Sequence, residues 1–176
     1  LADMGVKAVV FCGGGESMLY PQFQEIVEHI ASRKLEFGII SNGSMLNKYY
    51  KLLVDNSRFI RITCDSVDKE NYNRIHCPPP HITVDDIVES IRLAVEYRNK
   101  TNPKCAIGVK SLISNYNVHE KKEIEKVFKG IGVDYVSFKE ARKCKGELDG
   151  LPGVVINHKC FISPIQTMID SYGDVY

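Results

Sequence analysis

Three stretches of this chain place chemically capable residues directly after apolar runs. Val6 to Phe11 opens into Cys12-Gly13-Gly14-Gly15-Glu16, Phe37 to Ile40 into Ser41-Asn42-Gly43, and Phe59 to Cys64, which includes Thr63, into Asp65. Consecutive glycines carry no Cβ, so backbone amides can come close to a ligand. An acid set immediately after them repels phosphate and suits a ligand bearing an ammonium group. The run also lacks the Gly-Lys-Ser/Thr of a phosphate loop and the G-x-G-x-x-G spacing of a dinucleotide turn, which disfavours phosphate at this turn. A fourth group, Lys110, Asn115 and Asn117, lies in or after the run from Cys105 to Ile113. Each group also has a plain reading: Ser41-Asn42-Gly43 is a good turn, Asn117 with Glu120 a helix cap, and Lys110 a solvated lysine.

The six cysteines, Cys12, Cys64, Cys77, Cys105, Cys144 and Cys160, include no C-x-x-C pair, which excludes a local metal knuckle. No signal peptide or long apolar run is present, so reduced thiols in a cytoplasmic protein are expected, with Cys12, Cys64 and Cys105 packed in the core. A net charge of +1, from 23 basic and 22 acidic residues, gives no electrostatic case for nucleic acid or an acidic membrane surface. With 176 residues, 44% of them hydrophobic, the chain can bury a substantial core.

Positioning these groups calls for regular elements. Phe23, Ile26, Val27 and Ile30 share one helical face after Pro21, Ser44 is placed to cap a helix running to about Val54, and Thr83 with Asp86 forms a capping box before the stripe Ile87, Val88, Ile91, Val95. Ile124, Val127, Phe128 and Ile131 form a further helical face, stopped by Gly132 before a strand from Val133 to Phe138. The segment from Ser66 to Ile82, with Pro78-Pro79-Pro80, reads as a long loop, where Tyr72, His76 and Cys77 are candidates for substrate contact. Five widely spaced strands alternating with helices predict parallel βα units, either an open doubly wound sheet or an arc of a βα barrel. Ligand chemistry then belongs at the carboxyl ends of the strands, where the polar groups fall. Residues 1–141 read as this unit, and residues 142–176, opening with three glycines and a proline, as a linker and appended segment. The start at Leu1 and the end at Tyr176 read as cut, so part of the functional apparatus is expected outside the chain.

Taken in order, Val9 to Leu19 with its Gly13-Gly14-Gly15-Glu16 turn, then Pro21 and Phe23, Ile39 to Ser44, and Ile60 to Asp65 resemble the core of the radical S-adenosylmethionine (SAM) superfamily, over roughly residues 5 to 140. The resemblance implies a partial, TIM-like βα barrel of parallel strands, missing its first strand and the C-x-x-x-C-x-x-C loop that holds a [4Fe-4S] cluster, both expected upstream of Leu1. It implies that Gly14, Gly15 and Glu16 hold the SAM amino group, with Ser17 where proline is frequent. Ser41 and Asn42 match a turn near the ribose and methionine moieties, and Thr63 and Asp65 match a strand end in polar contact with SAM. Lys110, facing the SAM carboxylate, and Asn115 are further candidates. The run from Ile169 to Tyr176 after Cys160 is similar to the start of a SPASM-like C-terminal extension, which implies Cys160, and more weakly Cys144, as a ligand of an auxiliary iron–sulfur cluster.

For the parent protein the resemblance implies reductive SAM cleavage at the cluster. The resulting 5′-deoxyadenosyl radical would abstract hydrogen from a substrate, a peptide or protein being one class, with flavodoxin or ferredoxin as electron donor. No side chain here is required as a general acid or base, and the fragment alone is expected to be inactive. Two competing readings are a non-catalytic SAM-binding scaffold and an ordinary βα-barrel lyase or isomerase.

Overall fold

The computed structural model of the chain describes residues 3, 5–13, 15–102 and 104–140. Five strands, β1 (Ala8–Phe11), β2 (Glu36–Ser41), β3 (Phe59–Thr63), β4 (Ala106–Ile113) and β5 (Tyr135–Glu140), form one parallel sheet in the order β1-β2-β3-β4-β5. Between them run α1 (Phe23–Ser32), α2 (Leu46–Asn56), α3 (Lys69–His76), α4 (Val84–Thr101) and α5 (Lys121–Ile131), with short 3-10 turns at Ser17–Leu19 and Val118–Glu120. A doubly wound sheet reverses its strand order at a switch point, whereas here each strand pairs with its chain neighbour throughout, as in a barrel arc.

Alternation divides each strand between two faces. Phe37, Ile39, Ile60, Ile62, Ile107 and Val109 are buried toward the helices and meet Phe23, Leu46, Leu53, Ile91 and Phe128 in the core. The opposite, concave face carries Gly38, Phe59, Arg61, Thr63, Gly108, Lys110 and Tyr135. A Cβ on Gly38 would fall 2.2 Å from the Phe59 ring, and one on Gly108 2.1 Å from the Tyr135 ring, so each glycine makes room for an aromatic from the next strand.

The helix signals hold in part. Thr83 Oγ1 accepts from Asp86 N at 3.2 Å while the Asp86 carboxylate accepts from Thr83 N, completing the capping box of α4, and Gly132 ends α5 at φ 94°. The expected long loop is corrected: residues 69–76 form α3, capped by Asp68, whose carboxylate accepts from Asn71 N, and ended by Cys77 at φ 44°. The prolines follow this helix without interrupting it, so they mark only its C-terminal limit. Ser44 is not a cap: α2 begins at Leu46, and the Ser44 amide instead donates to Asn42 Oδ1 in an Asx turn. Cys64 and Cys105 are buried as expected, but Cys12 is exposed because it follows β1 as the chain leaves the sheet. Among the described residues no helix is long and apolar enough to cross a membrane.

Candidate functional site

The carboxyl ends of β1 and β2 are joined through one side chain. Glu16 Oε2 accepts from Ser41 Oγ at 2.8 Å and from Asn42 N at 2.9 Å, while Oε1 accepts from Met18 N at 3.2 Å. Ser41 Oγ in turn accepts from Gly43 N at 2.8 Å. Three donors therefore fix the half-buried carboxylate at the mouth of the sheet, between the two turns. Gly13 and Gly15 sit at φ 70° and 111° with nothing within 4 Å of a built Cβ, so their backbone borders open space. Gly14 lies outside the described residues.

At the next strand end Thr63 is half-buried and in register with Lys110 of β4, also half-buried, on the concave face. Asp65 is turned inward at 5% exposure, with Oδ1 accepting from Leu112 N at 2.6 Å and Oδ2 3.3 Å from His76 Nε2. Burial pushes the Asp65 carboxyl above the ordinary carboxylate range, opposed by the Leu112 amide and by His76. Burial likewise lowers the His76 imidazole, opposed by the Asp65 charge. The His76 ring lies 4.6 Å from that of Tyr72, so these two loop candidates belong to the α3 side of the Asp65 cluster. Asn115 is exposed in the turn after β4.

Asn117 differs from its expected capping role. It is fully buried, and Nδ2 donates to Asp65 O at 2.6 Å and Leu112 O at 2.8 Å while Oδ1 accepts from Ser114 N at 2.7 Å. The side chain thus ties the segments after β3 and β4 to each other. Glu120, read from sequence only as its capping partner, accepts from Ser66 Oγ at 2.6 Å, from Val67 N at 3.2 Å and from Asn71 Nδ2. The Asn-x-x-Glu spacing drew attention to the right residues, but a local pattern cannot distinguish an i to i+3 cap from contacts some fifty positions away in sequence. Sequence reasoning also passed over Arg61, whose signal was a charge in the middle of the apolar strand Ile60-Arg61-Ile62.

The described cysteines do not form a cluster site. Cys64 and Cys105 are buried on the helix side, and no group of three His, Cys, Asp or Glu side chains among the described residues could hold a metal ion. These residues do not fit an iron–sulfur cluster, while the glycine turn and Glu16 fit an ammonium-bearing ligand. Cys144 and Cys160 lie outside the described residues, as does the rest of 142–176.

Comparison with known proteins decides the lineage of this arrangement. The sequence model of the radical SAM superfamily matches residues 1–131. The chain belongs to the radical SAM superfamily. It is 27% identical over 135 residues to the tungsten-containing aldehyde ferredoxin oxidoreductase cofactor-modifying protein of Pyrococcus furiosus, covering 73% of this chain and 36% of that one. It is 33% identical over 96 residues to a probable GTP 3′,8-cyclase of Methanosarcina mazei, covering 54% and 28%. Among solved structures, Streptococcus suis SuiB bound to S-adenosylmethionine matches with TM-score 0.60 at 12% identity, covering 81% of this chain and 31% of that one. That likeness is one of fold, shared over the five-stranded sheet and its helices. The chain spans about a third of the length of the curated relatives it matches.

Proposed function

We propose that this chain is the SAM-holding arc of a radical SAM enzyme, and that the two turns joined by Glu16 are its grip on the cofactor. The observation that carries the reading is the Glu16 carboxylate, fixed by Ser41 and Asn42 beside the open glycine turn. Gly14, Gly15 and Glu16 would hold the SAM amino group, Asn42 and Ser41 would set the second turn against the nucleoside, and Thr63 and Lys110 would face the carboxylate end. Asp65 serves the same mouth indirectly, by holding the β4 end through Leu112 N, and Asn115 stands at its rim. Bound SAM would supply radical chemistry in the complete enzyme, where a reduced [4Fe-4S] cluster and an electron donor such as ferredoxin or flavodoxin belong to the same reading. This chain's own part is to bind, orient and shield. Family membership and the relatives support an enzyme, and we read its substrate as a peptide or protein. Residues 142–176 are read as a separate appended unit.

Titrating the isotope-labelled chain with SAM, and reading backbone amide shifts, tests the grip. Saturable shifts at Gly13, Gly15 and Asn42, weakened roughly tenfold in Glu16→Gln, are expected for loss of one charge-assisted contact. Equal binding by parent and variant would remove Glu16 from the site and favour an ordinary βα-barrel lyase or isomerase.

A further inference from the structure

The concave face carries a charge pattern of which the SAM grip uses Lys110 alone. Arg61 on β3, Lys110 on β4 and Lys139 on β5 share this face, and the strand register steps them along a diagonal. Arg61 is level with Gly108, Lys110 with Ser137, and Lys139 with Leu112. Successive members are about 8 Å apart at their Cα atoms, from the strand spacing and the rise per residue. Their side chains are long enough to converge on one group lying over the sheet.

Arg61 Nε is buried and has no hydrogen-bond partner among the described residues. A buried N–H held without its acceptor is an expensive arrangement unless a ligand completes it. The Arg61 charge also reaches the neighbouring Tyr135 hydroxyl, where it opposes the rise that burial causes. Among the described residues, three acids on the neighbouring strands and their ends are committed elsewhere. Asp65 is bound to Leu112 N and faces His76, Asp134 pairs with Arg98, and Glu36, at the opposite end of the strands, pairs with Arg58.

We propose that this diagonal binds the anionic group of the substrate, a phosphate or a carboxylate, with Arg61 as its planar anchor and Lys139 as its outer guide. Arginine presents two parallel donors to such a group, and the absence of a described counter-charge on this part of the face leaves the attraction available to the ligand. The assignment of the anion to a substrate rests on the reading of the chain as a radical SAM core.

Amide shifts of the 176-residue chain, titrated separately with inorganic pyrophosphate and with succinate, test the site at Ser137 and Lys139. At least one anion is expected to bind saturably, with affinity falling as salt rises, and to weaken about tenfold in Arg61→Met and in Lys139→Met. Lys139 is exposed, so its variant keeps the test open should Arg61→Met fail to fold. Pyrophosphate alone binding identifies phosphate as the recognised group, succinate alone identifies carboxylate, and both support the shared chemistry. Neither binding, or equal binding by parent and variants, overturns the proposal. SAM titration of the parent chain keeps the two readings apart. Anion binding without SAM binding removes only the assignment to a radical SAM substrate, and SAM binding without anion binding removes only the diagonal.

Discussion

Ser41 Oγ donates to Glu16 Oε2 across 2.8 Å, joining the ends of two strands that are adjacent in the sheet but twenty-five positions apart in sequence. The same hydroxyl accepts from Gly43 N, so one oxygen both closes its own turn and anchors the neighbouring one. Ser41→Ala should remove both bonds, lowering stability by about 1–2 kcal/mol in urea unfolding and broadening the amide signals of Asn42 and Gly43. Unchanged stability and spectra would show that the turns are held by other contacts.

Asn117 bridges the two strand ends on the other side of the mouth. Asn117→Ala leaves two buried carbonyls and one amide without their partner and should cost about 3 kcal/mol. Asn117→Asp should be at least as damaging, because a carboxylate accepts from Ser114 N but places negative charge against the Asp65 and Leu112 carbonyls. An aspartate variant as stable as the parent would contradict the bridge.

Gly43 is bound to glycine by both conformation and space. It sits at φ 81°, and a Cβ there would lie 3.0 Å from Ile62 Cγ2 and 3.2 Å from Ile87 Cγ2. Gly43→Ala combines left-handed strain with overpacking and should lose about 2 kcal/mol, read as a lowered midpoint in thermal unfolding.

The Asp65–His76 pair predicts opposing pH slopes. His76 is lowered from its ordinary value of 6.5, so its stabilisation is complete above that value and is lost as pH falls through its folded-state value. Asp65 is raised from 3.8, so its stabilisation is complete below that value and is lost as pH rises through its folded-state value. Between pH 7 and 5, Asp65→Asn should therefore lose stability on acidification more steeply than the parent, and His76→Gln less steeply. Urea unfolding at three pH values gives the slopes, and identical slopes in all three proteins would dismiss the pair as the cause.

Thiol reactivity should follow burial. Cys64 is pushed up to about 12 by burial and Cys105 is raised by the same cause, whereas Cys12 and Cys77 are exposed. Brief iodoacetamide treatment at pH 8, followed by peptide mass mapping, should modify Cys12 and Cys77 and reach Cys64 and Cys105 only after unfolding. Rapid labelling of Cys64 in the folded chain would contradict its burial.

Much of the sheet was legible because apolar runs ending in polar turns are a local signal, and all five strands lie where those runs predict. The pairing of Glu16 with the second turn was not, since nothing local relates residues 16 and 41 until their strands lie side by side. The helix Lys69–His76 escaped notice because it has little apolar stripe, Tyr72 being its one buried residue, and the prolines beyond it dominated the reading. Asn117 and Glu120 were found by type and spacing but given local duties, although their partners lie across the fold. Arg61 required the register to be known before its place beside Lys110 and Lys139 could be seen.

Strand order that follows chain order also bears on how such a molecule is made. Each βα unit docks onto the edge left by the one before it, so no strand has to wait for a distant part of the chain to be synthesised. The sheet can grow in the direction of translation, each new edge remaining open only until the next unit emerges from the ribosome.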